Sequence, residues 1–175
     1  MQLIFDRFWT KKISILVVCT ANVCRSPMGH AILREIIKYR GLKHKVRVDS
    51  AGTHVPINGR LPDKRSLKVL EEEGIDIKSL KTRQLKIKDI EKFDYIVVMD
   101  KENKAAIEKI IGKKSHKVRL LMEFSVNTNT RAGIEVPDPY YGHPSEFKSV
   151  FKLVEVGCSG LLKQVCEDHN LKGKV

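Results

Sequence analysis

The hydrophobic pattern of the chain contains four short apolar runs that predict β-strands. The first, ISILVVC at 13–19, is continuous and rich in β-branched residues, as expected of a strand that is buried on both faces. Two further stretches, at 45–52 and 93–100, predict the second and third strands, and the stretch at 116–124 holds a fourth, short strand. The pattern therefore predicts a sheet of four strands.

Helices are predicted between these strands and after the last one, where apolar residues recur at helical spacing. They lie at 27–41, 61–74, 101–112 and about 144–168, and the first three end at a glycine. A long segment at 123–143, with turn-forming residues, precedes the last helix and predicts a loop. Strands and helices thus alternate along the chain.

This alternation predicts an α/β fold of three layers, with a four-stranded parallel sheet and helices on both faces. Ligands bind such sheets beyond the carboxyl ends of the strands, and Cys19, Ser50 and Asp100 each stand at such an end. We expect residues 13–175 to form a single domain, and residues 1–12 to be an N-terminal extension packed on it.

Composition narrows the class of protein. With 42% hydrophobic and 31% charged residues, the chain of 175 residues has the mix of a soluble globular protein. No apolar run approaches the roughly 20 residues that cross a bilayer, so no membrane insertion is expected. Four cysteines, Cys19, Cys24, Cys158 and Cys166, are too few for a disulfide scaffold and favour a reduced, cytoplasmic setting.

The charge is strongly basic. An excess of 33 Lys and Arg over 21 Asp and Glu gives a formal net charge of +12, which favours anionic partners. The basic residues are scattered, and no aromatic-interleaved basic stretch or zinc-finger spacing accompanies them. A solvated basic surface is therefore preferred to nucleic-acid binding, and its field would also steer a phosphorylated protein segment towards a pocket.

The turn between the first strand and the first helix has the sequence CTANVCRSP, at 19–27. Ser26 is a good N-cap, and Pro27 suits the first helical turn. A loop that closes onto a helix start directs backbone N–H groups inwards beside the positive end of the helix dipole, which makes an anion site. Arg25 adds a planar fork that can bind two phosphoryl oxygens at once. The sequence thus predicts a phosphate-binding loop after the first strand.

Cys19 would lie at the floor of this loop. The groups that hold a phosphate dianion would also stabilise a thiolate, which makes Cys19 a candidate nucleophile towards a bound phosphorus atom. Ser26 could donate a hydrogen bond to the sulfur. The alternative is a buried, inert thiol after a core strand. Cys19 and Cys24 lack the second ligand pair of a structural zinc site, so no metal is expected.

A candidate acid stands near the other end of the chain, in VPDPYYG at 136–142. Asp138 lies between two prolines that stiffen the backbone, and its carboxyl group could protonate a departing phenolate or alkoxide and later accept a proton from water. Tyr140 and Tyr141 could form a wall of a pocket for an aromatic ring. The alternative is a simple turn with exposed tyrosines.

Five motifs, ILVVCTANVCRSP, DSAGT, TRQL, FDYIVVMDKEN and VPDPYYG, resemble in this order those of the low-molecular-weight protein tyrosine phosphatase family, over about residues 13–168. The resemblance implies that Cys19 forms a phosphocysteine, that Arg25 binds phosphate and stabilises the transition state, and that Asp138 is the general acid. It implies no metal, and we expect no cofactor and a monomer. Bacterial members that resemble this chain act on autophosphorylated tyrosine kinases controlling surface polysaccharide export, which makes such an autokinase the expected partner.

The resemblance also implies supporting residues. Asn22 and Ser26 would order the loop and the thiolate, with Ser50 as the hydrogen-bond partner of that network. Cys24 would capture an oxidised Cys19 as a reversible disulfide, unless it is only a small loop-filling residue. The substrate- and phosphate-binding residues would be Thr20, Ala21, Asn22, Val23, Cys24, Ser26, Pro56, Tyr140 and Tyr141.

Three positions depart from the family pattern. Ala21 replaces a usual glycine, and its methyl group would penalise a positive φ. Pro56 stands where many relatives place a tryptophan, tyrosine or leucine against the substrate ring, and Leu80 where many have a histidine that supports the loop. These departures bear on rate and substrate preference more than on the class of reaction.

Two other functions fit parts of the sequence. An arsenate reductase on the same scaffold would need further cysteines to carry a disulfide outwards, and Cys158 and Cys166 are the candidates, although buried core positions are preferred for them. The chain could also be a catalytically weak phosphotyrosine-binding protein. Its phosphate-binding loop would still bind the ligand, but Ala21 and Leu80 would have abolished turnover.

Overall fold

A computed structural model of the chain describes residues 11–125 and 135–173. Most of the predicted N-terminal extension, 1–12, lies outside the described residues, as does part of the predicted loop at 123–143.

The predicted four-stranded sheet is present, and all of its strands are parallel. The strand order is β2-β1-β3-β4. The strands are β1 (Ile13–Cys19), β2 (Val46–Gly52), β3 (Tyr95–Val98) and β4 (Val118–Leu120). In the register of the sheet Cys19 lies opposite Gly52, and the neighbouring Val18 lies opposite Val98. The carboxyl ends of the two central strands and of β2 therefore meet at one edge.

Five α-helices are described: α1 (Arg25–Tyr39), α2 (Lys64–Glu72), α3 (Ile87–Lys92), α4 (Lys101–Ile111) and α5 (Pro144–Asp168). The sequence pattern missed α3, because six residues are too few to show a helical period. The stretch at 116–124, which was predicted to hold the fourth strand, contains β4 and then a 3₁₀ turn, Leu121–Phe124, in which Glu123 Oε1 accepts from Leu120 N. The apolar residues 120–122 are too few to show the period of either structure.

The core lies on both faces of the sheet. Ile15 and Val17 of β1 pack with α1 and α5 on one face, while Leu16 and Val18 pack towards α4 on the other. Because β1 is buried on both faces and ends at Cys19, its carboxyl end is fixed from both sides. The predicted three-layer α/β fold is thereby confirmed.

Candidate active site

The loop between β1 and α1 is held by unusual backbone geometry. Asn22 has a φ of +55°, in the left-handed region that asparagine tolerates better than most residues. Ala21 is not among the described residues with positive φ, so its methyl group meets no such penalty. Gly52 faces the loop, and a Cβ there would lie 2.6 Å from the carbonyl oxygen of Thr20. The absence of a side chain at Gly52 therefore lets the loop approach β2.

The start of α1 differs from the prediction. Cys24, not Ser26, occupies the N-cap position, and it makes no side-chain capping bond. Ser26 is the second residue of the helix, and its hydroxyl group turns inwards, where Oγ lies 3.0 Å from Cys19 Sγ. The predicted contact between these two residues is therefore present, although the predicted cap is not.

A buried polar network surrounds this contact. Asn22 Nδ2 donates to Ser26 Oγ at 2.8 Å, and Asn22 Oδ1 accepts from the backbone N–H of Arg83 at 2.9 Å. Asn22 and Ser26 are both fully buried. Since the hydroxyl oxygen accepts from Asn22, its own proton is free to point to the sulfur or to the carbonyl oxygen of Ala51, 3.3 Å away. The Ser26 hydroxyl group can therefore donate to Cys19 Sγ.

Ser50, the predicted hydrogen-bond partner of this network, lies elsewhere. Ser50 Oγ pairs with His30 Nδ1 at 3.2 Å, and among the described contacts it makes no hydrogen bond to Asn22 or Ser26. Burial, reinforced by the positive charges of Arg34 and Arg83, lowers the pKa of His30 to about 4. His30 is thus neutral at physiological pH. Leu80 is buried in the apolar core.

Arg25 is the most connected side chain of the site, and it is only 2% exposed. Its Nη1 donates to Asp100 Oδ2 at 2.6 Å and to the carbonyl oxygen of Val136 at 3.1 Å. Its Nη2 donates to Asp138 Oδ2 at 2.5 Å and to Thr20 Oγ1 at 3.3 Å. Burial by itself would lower the pKa of Arg25, but the surrounding negative charges raise it above its usual value. The guanidinium is therefore a permanent cation with a fixed orientation.

Asp100 and Asn103 were not among the predicted site residues. Asp100 caps α4 by accepting from Asn103 N at 2.7 Å, and Asn103 Nδ2 donates to Thr20 Oγ1 at 3.0 Å. The signal available in the sequence was the position of Asp100 at the carboxyl end of β3. Its pairing with Arg25 spans 75 residues and required the fold.

Asp138 lies above the loop on a segment that is tied down at both ends. Val136 N donates to the carbonyl oxygen of Met99 at 2.8 Å, next to the end of β3. Further along, Arg65 Nη2 donates to the carbonyl oxygen of Tyr140 at 2.9 Å, while Arg65 also pairs with Asp63, the N-cap of α2. The Asp138 side chain remains 47% exposed. It can therefore reach both Arg25 and a ligand.

These residues border a cavity of about 620 Å³. Of the predicted site residues, those that line it are Cys19, Thr20, Ala21, Val23, Cys24, Arg25, Pro56, Asp138, Tyr140 and Tyr141. Asn22, Ser26 and Ser50 do not line the cavity. The lining residues that the sequence did not indicate are His54, Val55, Ile57, Arg60, Leu61, Pro62, Asp63, Lys64 and Thr82. In the 54–64 stretch, Ile57 and Leu61 supply the exposed apolar side chains beside Pro56.

The four cysteines are all free, and their surroundings differ. Burial raises the pKa of Cys24 to about 12, so this neighbour of Cys19 remains a thiol. Cys158 is fully buried in the core against α1, where burial raises the pKa of its thiol well above the usual range. Cys166 is partly buried. Cys158 is therefore shielded from solvent.

Within 11–125 and 135–173, no helix combines the length and the hydropathy that crossing a bilayer requires. The same residues bring no three His, Cys, Asp or Glu side chains together as ligands for a metal ion.

A cysteine beside a buried arginine in a strand-to-helix loop, with a carboxyl group above it, is the arrangement of a cysteine-dependent phosphatase. The family model for low molecular weight phosphotyrosine protein phosphatase matches residues 14–171. The chain belongs to the low-molecular-weight protein tyrosine phosphatase family, and it is a protein-tyrosine-phosphatase.

Individual relatives agree with this assignment. The low molecular weight protein-tyrosine-phosphatase YfkJ of Bacillus subtilis (strain 168) is 34% identical over 160 residues, or 91% of this chain and 99% of that protein. The crystal structure of YfkJ matches with a TM-score of 0.84 at 35% identity, over 91% of this chain and 98% of that one. The YwlE arginine phosphatase from Geobacillus stearothermophilus matches with a TM-score of 0.78 at 25% identity, over 90% and 96% of the two chains.

Proposed function

We propose that the protein hydrolyses phosphotyrosine in protein substrates through a phosphocysteine at Cys19. The observation that carries the proposal is the position of Cys19 Sγ, 3.0 Å from the Ser26 hydroxyl oxygen, in a cavity that Arg25 and Asp138 also line. A thiolate nucleophile, a fixed cation and an acid are thus available to one bound phosphoryl group.

The first step is transfer of the phosphoryl group to sulfur. The phosphoryl oxygens bind Arg25 and the inward N–H groups of the loop, and they compete with Asp138 for the guanidinium. The Cys19 thiolate attacks phosphorus, the bond from phosphorus to the phenolic oxygen breaks, and Asp138 gives that oxygen a proton. Tyrosine leaves, and phosphocysteine remains.

The second step releases phosphate. Asp138, now a carboxylate, accepts a proton from a water molecule whose oxygen attacks the phosphorus of phosphocysteine. The bond between sulfur and phosphorus breaks, and the sulfur returns to the thiolate. The hydroxyl group of Ser26 stabilises that departing thiolate by donating to it, which lowers the barrier for this step as well.

The cavity suits an aromatic ester. Its walls include the apolar side chains of Pro56, Ile57 and Leu61 and the rings of Tyr140 and Tyr141. The two tyrosine rings pack edge to face, with centroids 4.9 Å apart. A phenyl ring between these walls would place its ester oxygen near Asp138.

For the physiological partner, we propose an autophosphorylated tyrosine kinase in the cytoplasm that controls surface polysaccharide export. The family resemblance supports this partner, and the net charge of +12 favours an anionic, phosphorylated protein segment. We further propose that the protein acts as a monomer, without metal or cofactor.

The decisive experiment compares wild type with Cys19→Ser on p-nitrophenyl phosphate, a phosphotyrosine peptide and phosphoarginine. Wild type should hydrolyse the first two, whereas Cys19→Ser should be inactive and still bind inorganic phosphate. Equal hydrolysis by both proteins would reject the proposal. Preferential turnover of phosphoarginine would instead indicate that this chain is an arginine phosphatase, like YwlE.

The two other functions weighed from the sequence are less well supported. Arsenate reduction would need a thiol relay, and Cys158 is buried in the core, away from solvent. Arsenate turnover with thioredoxin, without hydrolysis of aryl phosphates, would reverse this ranking. The hypothesis of a binding protein without turnover loses one of its two arguments, because Ala21 does not have a positive φ.

A further inference from the structure

The mouth of the cavity carries positive charge that no described residue neutralises. Arg60 and Lys64 both line the cavity and are exposed, and neither forms an ion pair within the described part of the chain. The carboxylates that line the same cavity are already engaged, since Asp63 pairs with Arg65 and Asp138 with Arg25. The two cations at the mouth are therefore available to an incoming anion.

Arg60 stands on a segment of fixed backbone. Its N–H donates to Thr82 Oγ1 at 3.1 Å, and its carbonyl oxygen accepts from Thr82 N at 2.8 Å. The same threonine hydroxyl donates to the carbonyl oxygen of Ile57 at 2.8 Å. Because Thr82 is buried, these bonds hold the mouth segment firmly against the rest of the molecule.

Lys64 is fixed by a different set of contacts. It is the first residue of α2, directly after the N-cap Asp63. The backbone N–H of Asp63 donates to the carbonyl oxygen of Val23 at 2.8 Å, within the phosphate-binding loop itself. The backbone of Lys64 is thus tied to the loop that would hold the phosphoryl group, and the spacing between charge and loop is set by the fold.

Apolar surface accompanies these charges. Of the eight large hydrophobic side chains that are exposed among the described residues, four line this cavity: Ile57, Leu61, Tyr140 and Tyr141. Exposed apolar side chains clustered at one place indicate a surface that contacts another polypeptide. The mixture of apolar groups and free cations fits a peptide with acidic side chains better than it fits a small phosphate ester.

We infer that Arg60 and Lys64 select phosphotyrosine segments in which Asp or Glu stands close to the phosphotyrosine. This inference rests on the proposed function and names the substrate class of the same site. Ion pairs at an exposed rim are individually weak, so two of them should favour an acidic over a neutral segment by about 3- to 20-fold in kcat/KM.

The test uses three phosphotyrosine peptides that differ only in having Glu, Gln or Lys around the phosphotyrosine. Wild type should prefer the Glu peptide to the Gln peptide, and Arg60→Ala/Lys64→Ala should lose most of that ratio. The reversed variant Arg60→Glu/Lys64→Glu should prefer the Lys peptide. Ratios between peptides cancel any general change in rate.

The matched control is Lys43→Glu/Lys45→Glu, which changes net charge equally but lies just before β2, at the opposite end of the sheet. It should keep the wild-type ratio. Equal kcat/KM for the Glu and Gln peptides in wild type would overturn the inference, as would an equal loss of the ratio in the control. Absence of all hydrolysis would reject the proposed function instead, and affinities of the three peptides for Cys19→Ser would then decide the inference separately.

Discussion

Arg25 Nη2 donates to Asp138 Oδ2 at 2.5 Å, so the candidate phosphate-binding cation and the candidate acid are in direct contact. The other guanidinium nitrogen, Nη1, donates to Asp100 at 2.6 Å. These two carboxylates differ in exposure, since the side chain of Asp138 is 47% exposed and that of Asp100 is 17% exposed. The exposed carboxylate can leave Arg25 when a phosphoryl group binds, while the more buried one continues to orient the guanidinium.

Replacing Asp138 should affect proton transfer to the leaving group. Asp138→Asn keeps the shape but provides no acid, and kcat for phenyl phosphate should fall by about 10²- to 10⁴-fold. The loss should be smaller for p-nitrophenyl phosphate, because nitrophenolate departs without a proton. Steady-state kinetics on both esters measures this difference.

Asp100→Asn serves as the comparison, because it removes the other carboxylate on the same guanidinium. It should raise KM and lower the affinity for inorganic phosphate, with a similar effect on both esters. If Asp138→Asn showed no dependence on the leaving group, Asp138 would not be the acid.

Replacing Ser26 should weaken the thiolate. Ser26→Ala removes the hydroxyl that lies 3.0 Å from Cys19 Sγ, and the loss of one such hydrogen bond should lower kcat by about 5- to 20-fold. As the pH is raised, the rate at which iodoacetate alkylates Cys19 should begin to increase at a higher pH in Ser26→Ala than in wild type. Alkylation rates measured across pH provide the test.

Ser14 offers a matched control for this experiment. It is also fully buried, but at the start of β1, where its hydroxyl donates to Asp94 at 2.7 Å. Ser14→Ala should lower stability and leave the pH profile of alkylation unchanged. An unchanged profile in Ser26→Ala would show that its hydroxyl does not act on the sulfur.

The parts of the site that could be predicted from the sequence are local or follow from strand direction. The strand-to-helix loop carries Cys19 and Arg25 within seven residues, so its chemistry is visible in one short segment. A parallel sheet places the carboxyl ends of its strands at one edge, which locates the loop and Asp100 together. The role of Asp100 in orienting Arg25 remained hidden, because it depends on a contact between distant segments.

The supports of the loop could not be predicted for the same reason. Asn22 accepts a hydrogen bond from the backbone N–H of Arg83. Because every residue except proline has such a group, the identity of residue 83 does not reveal this contact. The concern over Ala21 was misplaced, because the positive φ falls on Asn22. The mouth residues Arg60 and Lys64 have ordinary surface character in the sequence, and only the fold brings them to the cavity.

The buried histidine should make stability depend on pH. The pKa of His30 is about 4 in the folded protein and about 6.5 in an unfolded chain, so the unfolded chain binds more protons between these values. Stability therefore falls as pH drops through this window, and lowering the pH from 7 to 5 should cost about 1–2 kcal/mol at this residue. Urea unfolding at the two pH values gives the change in the free energy of unfolding.

His30→Gln is the appropriate comparison, because glutamine does not titrate and can still bond to Ser50. The variant should lose less stability than wild type between pH 7 and 5. The other five histidines are common to both proteins, so the difference between the two slopes isolates His30. Identical slopes would show that His30 is not the group responsible.

The last prediction concerns oxidation at the loop. Cys19 and Cys24 are free, line the same cavity and are five positions apart in the loop, and burial raises the pKa of Cys24 to about 12. Peroxide should therefore oxidise Cys19 first, and its sulfenic acid should condense with the Cys24 thiol, which releases water and forms a disulfide. Wild type treated with mild peroxide should regain its phosphatase activity with dithiothreitol, and peptide mapping should recover a Cys19–Cys24 disulfide.

Cys24→Ser should instead lose activity irreversibly, because Cys19 is then oxidised further to the sulfinic acid. The control is Cys166→Ser, which changes a partly buried cysteine on α5 and should behave as wild type. Recovery of over-oxidised Cys19 from wild type, without the disulfide, would leave Cys24 as a small side chain that fills the loop.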